Sequence, residues 1–228
     1  MTSLTSRQSA TPRKSFFLVL EGTEGVGKST NIEFIKTYLE SKDVPLVLTR
    51  EPGGTPLAEE IRELLLAPRD EAVAETTELL LMFAARAQHL QQVILPALEE
   101  EQWVLSDRFT DATYAYQGGG RKMDIDKIKQ LEILVQGEIR PDKIIILDLS
   151  VEEGLKRARQ RADLDRFEQE EMAFFERVRA AYLDRAKADP DRYFIVDASQ
   201  SLPEVQSSIQ CVLDELMAKS TLARVNNK

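Results

Sequence analysis

Phe16-Phe17-Leu18-Val19-Leu20 runs directly into Glu21-Gly22-Thr23-Glu24-Gly25-Val26-Gly27-Lys28-Ser29-Thr30. The first five residues are apolar without alternation, which reads as a strand covered on both faces. Gly22, Gly27, Lys28 and Ser29 then satisfy G-x-x-x-x-G-K-[ST], and a helical pattern opens at Lys28. Glycines at these positions let backbone amides turn inward around a polyphosphate, and the helix adds its positive N-terminus. Lys28 is placed to reach the β- and γ-phosphates, and the Ser29 hydroxyl to ligate Mg²⁺. Glu24 stands apart in this loop. A carboxylate among phosphates costs energy unless it meets a metal water, an acceptor hydroxyl or a basic partner; otherwise it is an exposed loop residue. No arginine lies between Gly22 and Ser29, so another segment must supply further charge to a transferring phosphoryl group.

Outward from this loop, four more apolar runs read as strands: Pro45 to Thr49, Trp103 to Ser106, Lys143 to Leu149 and Tyr193 to Val196. Helical patterns separate them, over Lys28 to Ser41, Pro56 to Leu66, Glu75 to Glu101, Asp124 to Glu138, Val151 to Arg161, Gln169 to Ala188 and Leu202 to Met217. Strands alternating with helices predict an α/β fold, a five-stranded parallel sheet flanked by helices on both faces. No repeat or linker divides the chain. The expected organisation is a disordered leader over 1–15, one domain over 16–219 with a lid near 155–168, and a flexible tail over 220–228.

The chain has 228 residues and a formal net charge of −9. An acidic surface disfavours nucleic acid and anionic membrane as partners. Cys211 is the only cysteine, so neither an intramolecular disulfide nor a cysteine metal cluster is available. A reducing cytoplasm suits this composition. His89 and Cys211 fall on helical patterns and read as structural.

In a doubly wound sheet ligands sit beyond the carboxyl ends of the strands, and the remaining motifs cluster there. Thr49-Arg50-Glu51-Pro52-Gly53-Gly54-Thr55 makes a stiff turn with Thr55 poised to cap the next helix. Arg50 either meets an anionic group or is a solvated turn residue. Ser106-Asp107-Arg108-Phe109 offers an aspartate that can orient Mg²⁺ through water and an arginine that can grip a phosphate. Asp148 also ends a strand, so position alone leaves open which aspartate orients the metal; a helix N-cap role is the alternative for either and suits Asp148 better. Thr113, Tyr114, Tyr116 and Gln117 precede a triglycine that reads as flexible, Gly118-Gly119-Gly120, and Arg121, a pocket wall for a flat, hydrogen-bonding ligand or else a surface loop. Phe83 and Arg86 share a helix face. Lys156, Arg157, Arg159, Arg161 and Arg166 reverse the local charge against Asp163 and Asp165. They form either a solvated helix face or a mobile cover that brings arginines to the phosphates.

Taken in order, Glu21 to Thr30, Thr49 to Thr55, Phe83 to Arg86, Asp107 to Arg121 and Leu164 to Glu168 resemble the bacterial thymidylate kinase family. The resemblance implies a P-loop nucleoside-monophosphate-kinase-like fold, transfer of the ATP γ-phosphate to dTMP, Mg²⁺ and a homodimer. Residues 22–30 would hold ATP, with Gly22, Thr23, Gly25, Val26 and Thr30 joining Lys28 and Ser29. Arg86 and Arg108 would hold the dTMP phosphate or base edge, Thr113 and Gln117 thymine, and Tyr116 the sugar 2′ side. Glu24 would meet the 3′-hydroxyl and metal waters. Arg50, Pro52, Phe83 and Asp165 complete the expected substrate contacts, with Glu168 a second acidic lid position. Gly25 after Glu24 resembles the type whose catalytic arginine lies in the lid. Arg161 is the choice there, with Arg157 and Arg159 as rivals. Many family members place the base-stacking phenylalanine four residues before the arginine, where this chain has Met82, with Phe83 three before; either Phe83 rotates in to stack or the thymine rests partly on Met82.

Overall fold

The computed structural model describes residues 15–160, 166–167 and 170–226. The leader up to residue 14, and Arg161, Asp163, Asp165 and Glu168 from the expected lid, lie outside the described residues. The five strands are β1 (Phe17–Glu21), β2 (Leu46–Arg50), β3 (Trp103–Asp107), β4 (Lys143–Asp148) and β5 (Tyr193–Asp197). They form one sheet in the order β2-β3-β1-β4-β5, and every pairing is parallel. The expected α/β fold is therefore present. Register aligns Leu20 with Asp107 and Asp107 with Arg50, so the carboxyl ends of three strands form one edge.

Alternation along β1 explains why its sequence is apolar throughout. Phe17 and Val19 enter one core with Val104, Ile144, Phe175 and Tyr182. Leu18 and Leu20 enter the other with Ile32, Ile35, Ile209 and Leu213. The first core is covered by α3 (Glu75–His89) with its continuation and by α8 (Met172–Ala188), the second by α1 (Lys28–Glu40) and α9 (Leu202–Asn226). Each fully buried Leu or Phe contributes about 1.5–3 kcal/mol, so the central strand is the most firmly held element and the loop behind it inherits that rigidity.

The helices depart from the expected spans in instructive ways. The 75–101 stretch is α3, a π-helical turn at Leu90–Ile94, and α4 (Leu95–Glu99). Pro96 has no N–H and its ring crowds the carbonyl four residues back, and the wider turn, in which Leu95 N bonds to Leu90 O, absorbs the strain. After α5 (Thr110–Thr113), residues Tyr114–Gly120 are also π-helical, so the triglycine is not a flexible loop. A Cβ on Gly119 would lie 2.8 Å from Ala181 Cβ, and one on Gly120 would overlap the Phe174 ring. These glycines let the segment pack closely on α8. The remaining helices on the path to the site are α2 (Pro56–Leu66), α6 (Ile125–Gln136) and α7 (Val151–Arg159).

Three smaller corrections follow. Ser150, not Asp148, caps α7 through Glu153 N, and Asp148 instead holds Arg179 at 2.7 and 2.9 Å. Cys211 is exposed rather than packed. Helix α9 continues through Asn226 with Ser220 buried, so the expected tail is helical to that point.

Gly120→Ala is expected to destabilise the fold by about 1–3 kcal/mol, because the buried Phe174 ring has no room to yield. Urea denaturation checks this, with the same substitution at Gly137, which has nothing within 4 Å of a Cβ but a φ of +53°, as a contrasting backbone-strain site.

Candidate active site

At the carboxyl edge of the sheet lies a cavity of about 260 Å³. Glu24 to Ser29 form one wall; Asp107 and Arg108 at the end of β3 form the floor, and Met82 and Arg86 from α3 face Thr113, Tyr116 and Gln117. The phosphate loop turns at Gly22, Gly25 and Gly27, with φ of 144°, 73° and 92°. Lys28 Nζ donates to the carbonyls of Gly22 and Thr23 at 3.2 and 3.0 Å, which closes the loop on itself. Thr30 is exposed and stands outside the cavity lining. Gly25 has no space for a side chain: a Cβ there would overlap the Gly154 carbonyl of α7.

Glu24 has basic partners. Its Oε1 accepts from Arg108 Nη2 and from the Tyr116 hydroxyl, each at 2.6 Å. Burial opposes its ionisation, but Arg108, Lys28 and the Tyr116 hydroxyl outweigh burial and hold the carboxyl at about 2. It is thus a carboxylate at neutral pH. Arg108 adopts φ +69°, the left-handed region, which costs a non-glycine residue about 1–2 kcal/mol. Its own backbone compensates: Arg108 N donates to Leu20 O at 3.0 Å, and Ser106 Oγ donates to Arg108 O at 2.7 Å. The guanidinium then lies over the Tyr116 ring, 4.8 Å from its centroid.

Arg86 is 3% exposed and held from several sides. Nε donates to Glu51 Oε2 at 2.7 Å and Nη2 to Thr113 Oγ1 at 3.0 Å, while Nη1 is buried with no hydrogen-bond partner among the described residues. His89 Nδ1 meets the other oxygen of Glu51 at 2.9 Å, and its Nε2 meets the Thr49 hydroxyl at 2.6 Å. The histidine is structural, as expected, and it steadies the carboxylate that steadies Arg86. Asp107 Oδ1 is likewise buried without a partner. An unsatisfied carboxylate oxygen in a cavity that Ser29 also lines suits a hard cation. Among the described residues no group of three or more His, Cys, Asp or Glu could cage a metal alone.

Two expected contacts are corrected. Arg50 does not line the cavity; its exposed guanidinium pairs with Glu59 at 2.7 Å across the turn. Phe83 points into a separate core with Leu79, Tyr114 and Ile128, and its ring carries the Arg86 guanidinium at 4.8 Å. Met82 lines the cavity in its place. Pro52 is in the lining, alongside Glu51, Arg62, Leu66, Ala112 and Phe167, which sequence reasoning missed. Met82, the alternative to Phe83 that the sequence offers one turn before Arg86, is the one of the two in the lining. Arg62 carries no comparable signal: only the fold brings Nη1 to the Pro52 carbonyl at 2.9 Å. Arg166 turns away from the phosphate loop, donating to Glu78 at 2.7 Å and to the Leu65 carbonyl at 2.8 Å.

The family model described as thymidylate kinase matches residues 20–209. The chain belongs to the thymidylate kinase family. A thymidylate kinase of Pseudomonas savastanoi pv. phaseolicola is 61% identical over 201 residues, covering 88% of this chain and 96% of that one. One of Teredinibacter turnerae is 58% identical over the same length, covering 98% of its own chain. The crystal structure of thymidylate kinase from Ehrlichia chaffeensis superposes with a TM-score of 0.72 at 33% identity, covering 88% of this chain and 98% of that one. The likeness confirms the nucleoside-monophosphate-kinase-like fold. Among the described residues no helix is long and apolar enough to cross a membrane.

Beneath this thymidylate kinase site lies Glu21, fully buried at the end of β1. Its Oε1 accepts from Phe109 N at 2.8 Å and its Oε2 from the Tyr182 hydroxyl at 2.7 Å. Burial and the nearby Asp111 charge outweigh Arg108 and these hydrogen bonds, pushing the carboxyl up to about 8 from 4.5. The folded state therefore keeps a proton that the unfolded state has lost. Stability from this group is full below about pH 4.5 and falls away as pH rises through about 8. Glu21→Gln removes the titration, so the loss of urea stability between about pH 5.5 and 8.5 should be smaller in the variant than in the parent.

Proposed function

We propose that the cavity binds dTMP, that the phosphate loop binds ATP, and that the γ-phosphoryl group passes from ATP to dTMP, giving dTDP and ADP. The observation that carries this reading is the place of Glu24. It joins the phosphate loop to Arg108 and Tyr116 across the same cavity, so donor and acceptor sites share one wall. The buried, unpartnered Nη1 of Arg86 offers that cavity a further donor for an anion.

The dTMP phosphate oxygen is already a nucleophile, so positioning and electrostatics suffice and no general base is needed. In this reading Lys28 holds the transferring phosphoryl group, and Arg108 and Arg86 hold the acceptor phosphate in line with it. Thr113 and Gln117 face the base, with Met82 beneath it. Tyr116, packed edge-on against Phe167, Phe174 and Tyr182 at 5.9–6.5 Å between centroids, is a rigid wall that crowds a ribose 2′-hydroxyl. Glu24 meets the sugar 3′-hydroxyl. Ser29 and Asp107 would hold Mg²⁺, which supplies positive charge to the phosphates when bound.

Arg161 is assigned as the catalytic lid cation. Supporting this, Gly25 seats the loop against Gly154, so α7 leads from the loop toward residue 161. Of its rivals, Arg157 pairs with Glu153 at 3.0 Å and Arg159 is exposed on α7. A homodimer is proposed through α2, α3 and α6, where Leu64, Leu80, Ile133 and Leu134 stay exposed. The protein would act in the cytoplasm.

With Mg²⁺-ATP, purified protein should phosphorylate dTMP much faster than dUMP, dCMP or AMP in a coupled ADP assay. Equal rates on all four, or none on dTMP, would sink the reading. Arg161→Ala should lower kcat by roughly 10³-fold or more, in the range of a transition-state arginine, with little change in dTMP affinity. An unchanged kcat would place the catalytic cation elsewhere.

A further inference from the structure

Gln117 lines the cavity and is 1% exposed. Its side-chain nitrogen donates to Glu78 Oε1 at 2.8 Å. A glutamine amide is ambiguous by itself, because its two ends differ only in whether they donate or accept. A carboxylate removes the ambiguity, since it accepts and does not donate. Glu78 thus takes the nitrogen end and leaves the carbonyl oxygen for the cavity.

Glu78 is itself 1% exposed, one turn before Met82 on α3. A carboxylate so deeply buried needs compensation, and it has it on both sides. Arg166 Nη2 meets Oε2 at 2.7 Å, and Arg121 Nε approaches Oε1 at 3.5 Å. Neither arginine lines the cavity; Arg121 also pairs with Glu170 and Arg166 also donates to the Leu65 carbonyl, and both hold Glu78. A buried charge supported by two cations and aimed at the amide of one cavity residue is more than packing requires.

Pyrimidine chemistry shows what this orientation does. Thymine and uracil present an N3–H donor between two carbonyls. Cytosine presents a bare N3 lone pair and an amino group. A fixed carbonyl accepts from the first and opposes the lone pair of the second. We propose that Glu78 is a positioning residue which, by holding the Gln117 nitrogen, turns its carbonyl toward the base and sets the preference for an N3–H pyrimidine over cytosine. The inference rests on the reading above that the base lies at the Gln117 end of the cavity.

Steady-state kinetics of the full chain with dTMP and dCMP, at saturating Mg²⁺-ATP, test it. Glu78→Gln lets either end of Gln117 face residue 78. Its dTMP KM should rise roughly tenfold and the dTMP-over-dCMP ratio of kcat/KM should fall by a similar factor, while kcat and the ATP KM stay within about threefold. Gln117→Leu should lower the ratio as well, and adding Glu78→Gln to it should lower the ratio no further. An unchanged ratio in folded Glu78→Gln, or an additional fall on the Gln117→Leu background, overturns the proposal. Should Glu78→Gln fail to fold, Glu78→Asp keeps the charge for both arginines while withdrawing the oxygen from Gln117, and the same two outcomes apply. Wild-type protein inactive on dTMP would instead overturn the functional reading itself, which separates the two failures.

Discussion

The bond from Arg108 to Glu24 ties together parts of the chain that are otherwise far apart. Glu24 sits in the loop after the central strand, and Arg108 follows the neighbouring strand 84 residues later. Both are only partly exposed, at 17% and 15%, so neither charge is well served by water. Truncating one partner of such a pair strands the other, at a cost set by how much water can return. The pair also accounts for the left-handed backbone at Arg108. That conformation turns the guanidinium over Tyr116 and onto Glu24, and the tight register between β1 and β3 supplies the hydrogen bond from Arg108 N to Leu20 O that maintains it.

The same arrangement recurs around the cavity. Arg86 leans on Glu51, which leans on His89; Arg166 and Arg121 lean on Glu78. Each cation arrives with an anion already assigned, which lets an acidic chain build a pocket for anionic nucleotides without leaving bare positive charge in its core. The net −9 describes the outer surface. The pocket is governed by local pairing, and the pairing fixes geometry as well as charge, because a bidentate or buried guanidinium has few alternative poses.

Much of this was legible in the residue order. A strand buried on both faces must be apolar throughout, so Phe17 to Leu20 announced the central strand, and the glycine spacing after it announced the phosphate loop. Residues within one element, such as Thr55 capping α2 or Arg86 on α3, were found because helix geometry is local. What was misread depended on packing between elements. Phe83 and Met82 are neighbours on one helix, and only the position of Tyr114 and Ile128 decides which enters a core and which faces the cavity. Arg50 looked available until α2 brought Glu59 beside it. The triglycine looked flexible because glycine has two opposite uses, freedom of backbone and closeness of approach. Phe174 selects the second. Arg62 had no signal because its route to the cavity depends entirely on how α2 lies against the turn at Pro52.

Among the described residues three buried side-chain atoms, Asn31 Oδ1, Arg86 Nη1 and Asp107 Oδ1, remain outside this economy of partners, and the two that line the cavity are of opposite character. Arg86 Nη1 is a donor without an acceptor, and Asp107 Oδ1 an acceptor without a donor, each buried. A buried polar atom left unmade costs a fold about 1–3 kcal/mol, more when charged, and nearly every other polar group in this core is satisfied. Both lie in the lining of one cavity. If their purpose were stability, replacing either with an apolar residue would be an easy gain. In the function proposed above the missing partners come from outside, an anion for the arginine and a cation or its water for the aspartate. The deficit in the empty fold then returns as binding energy when the ligands enter, so the two orphaned atoms mark the site more directly than any of the satisfied ones.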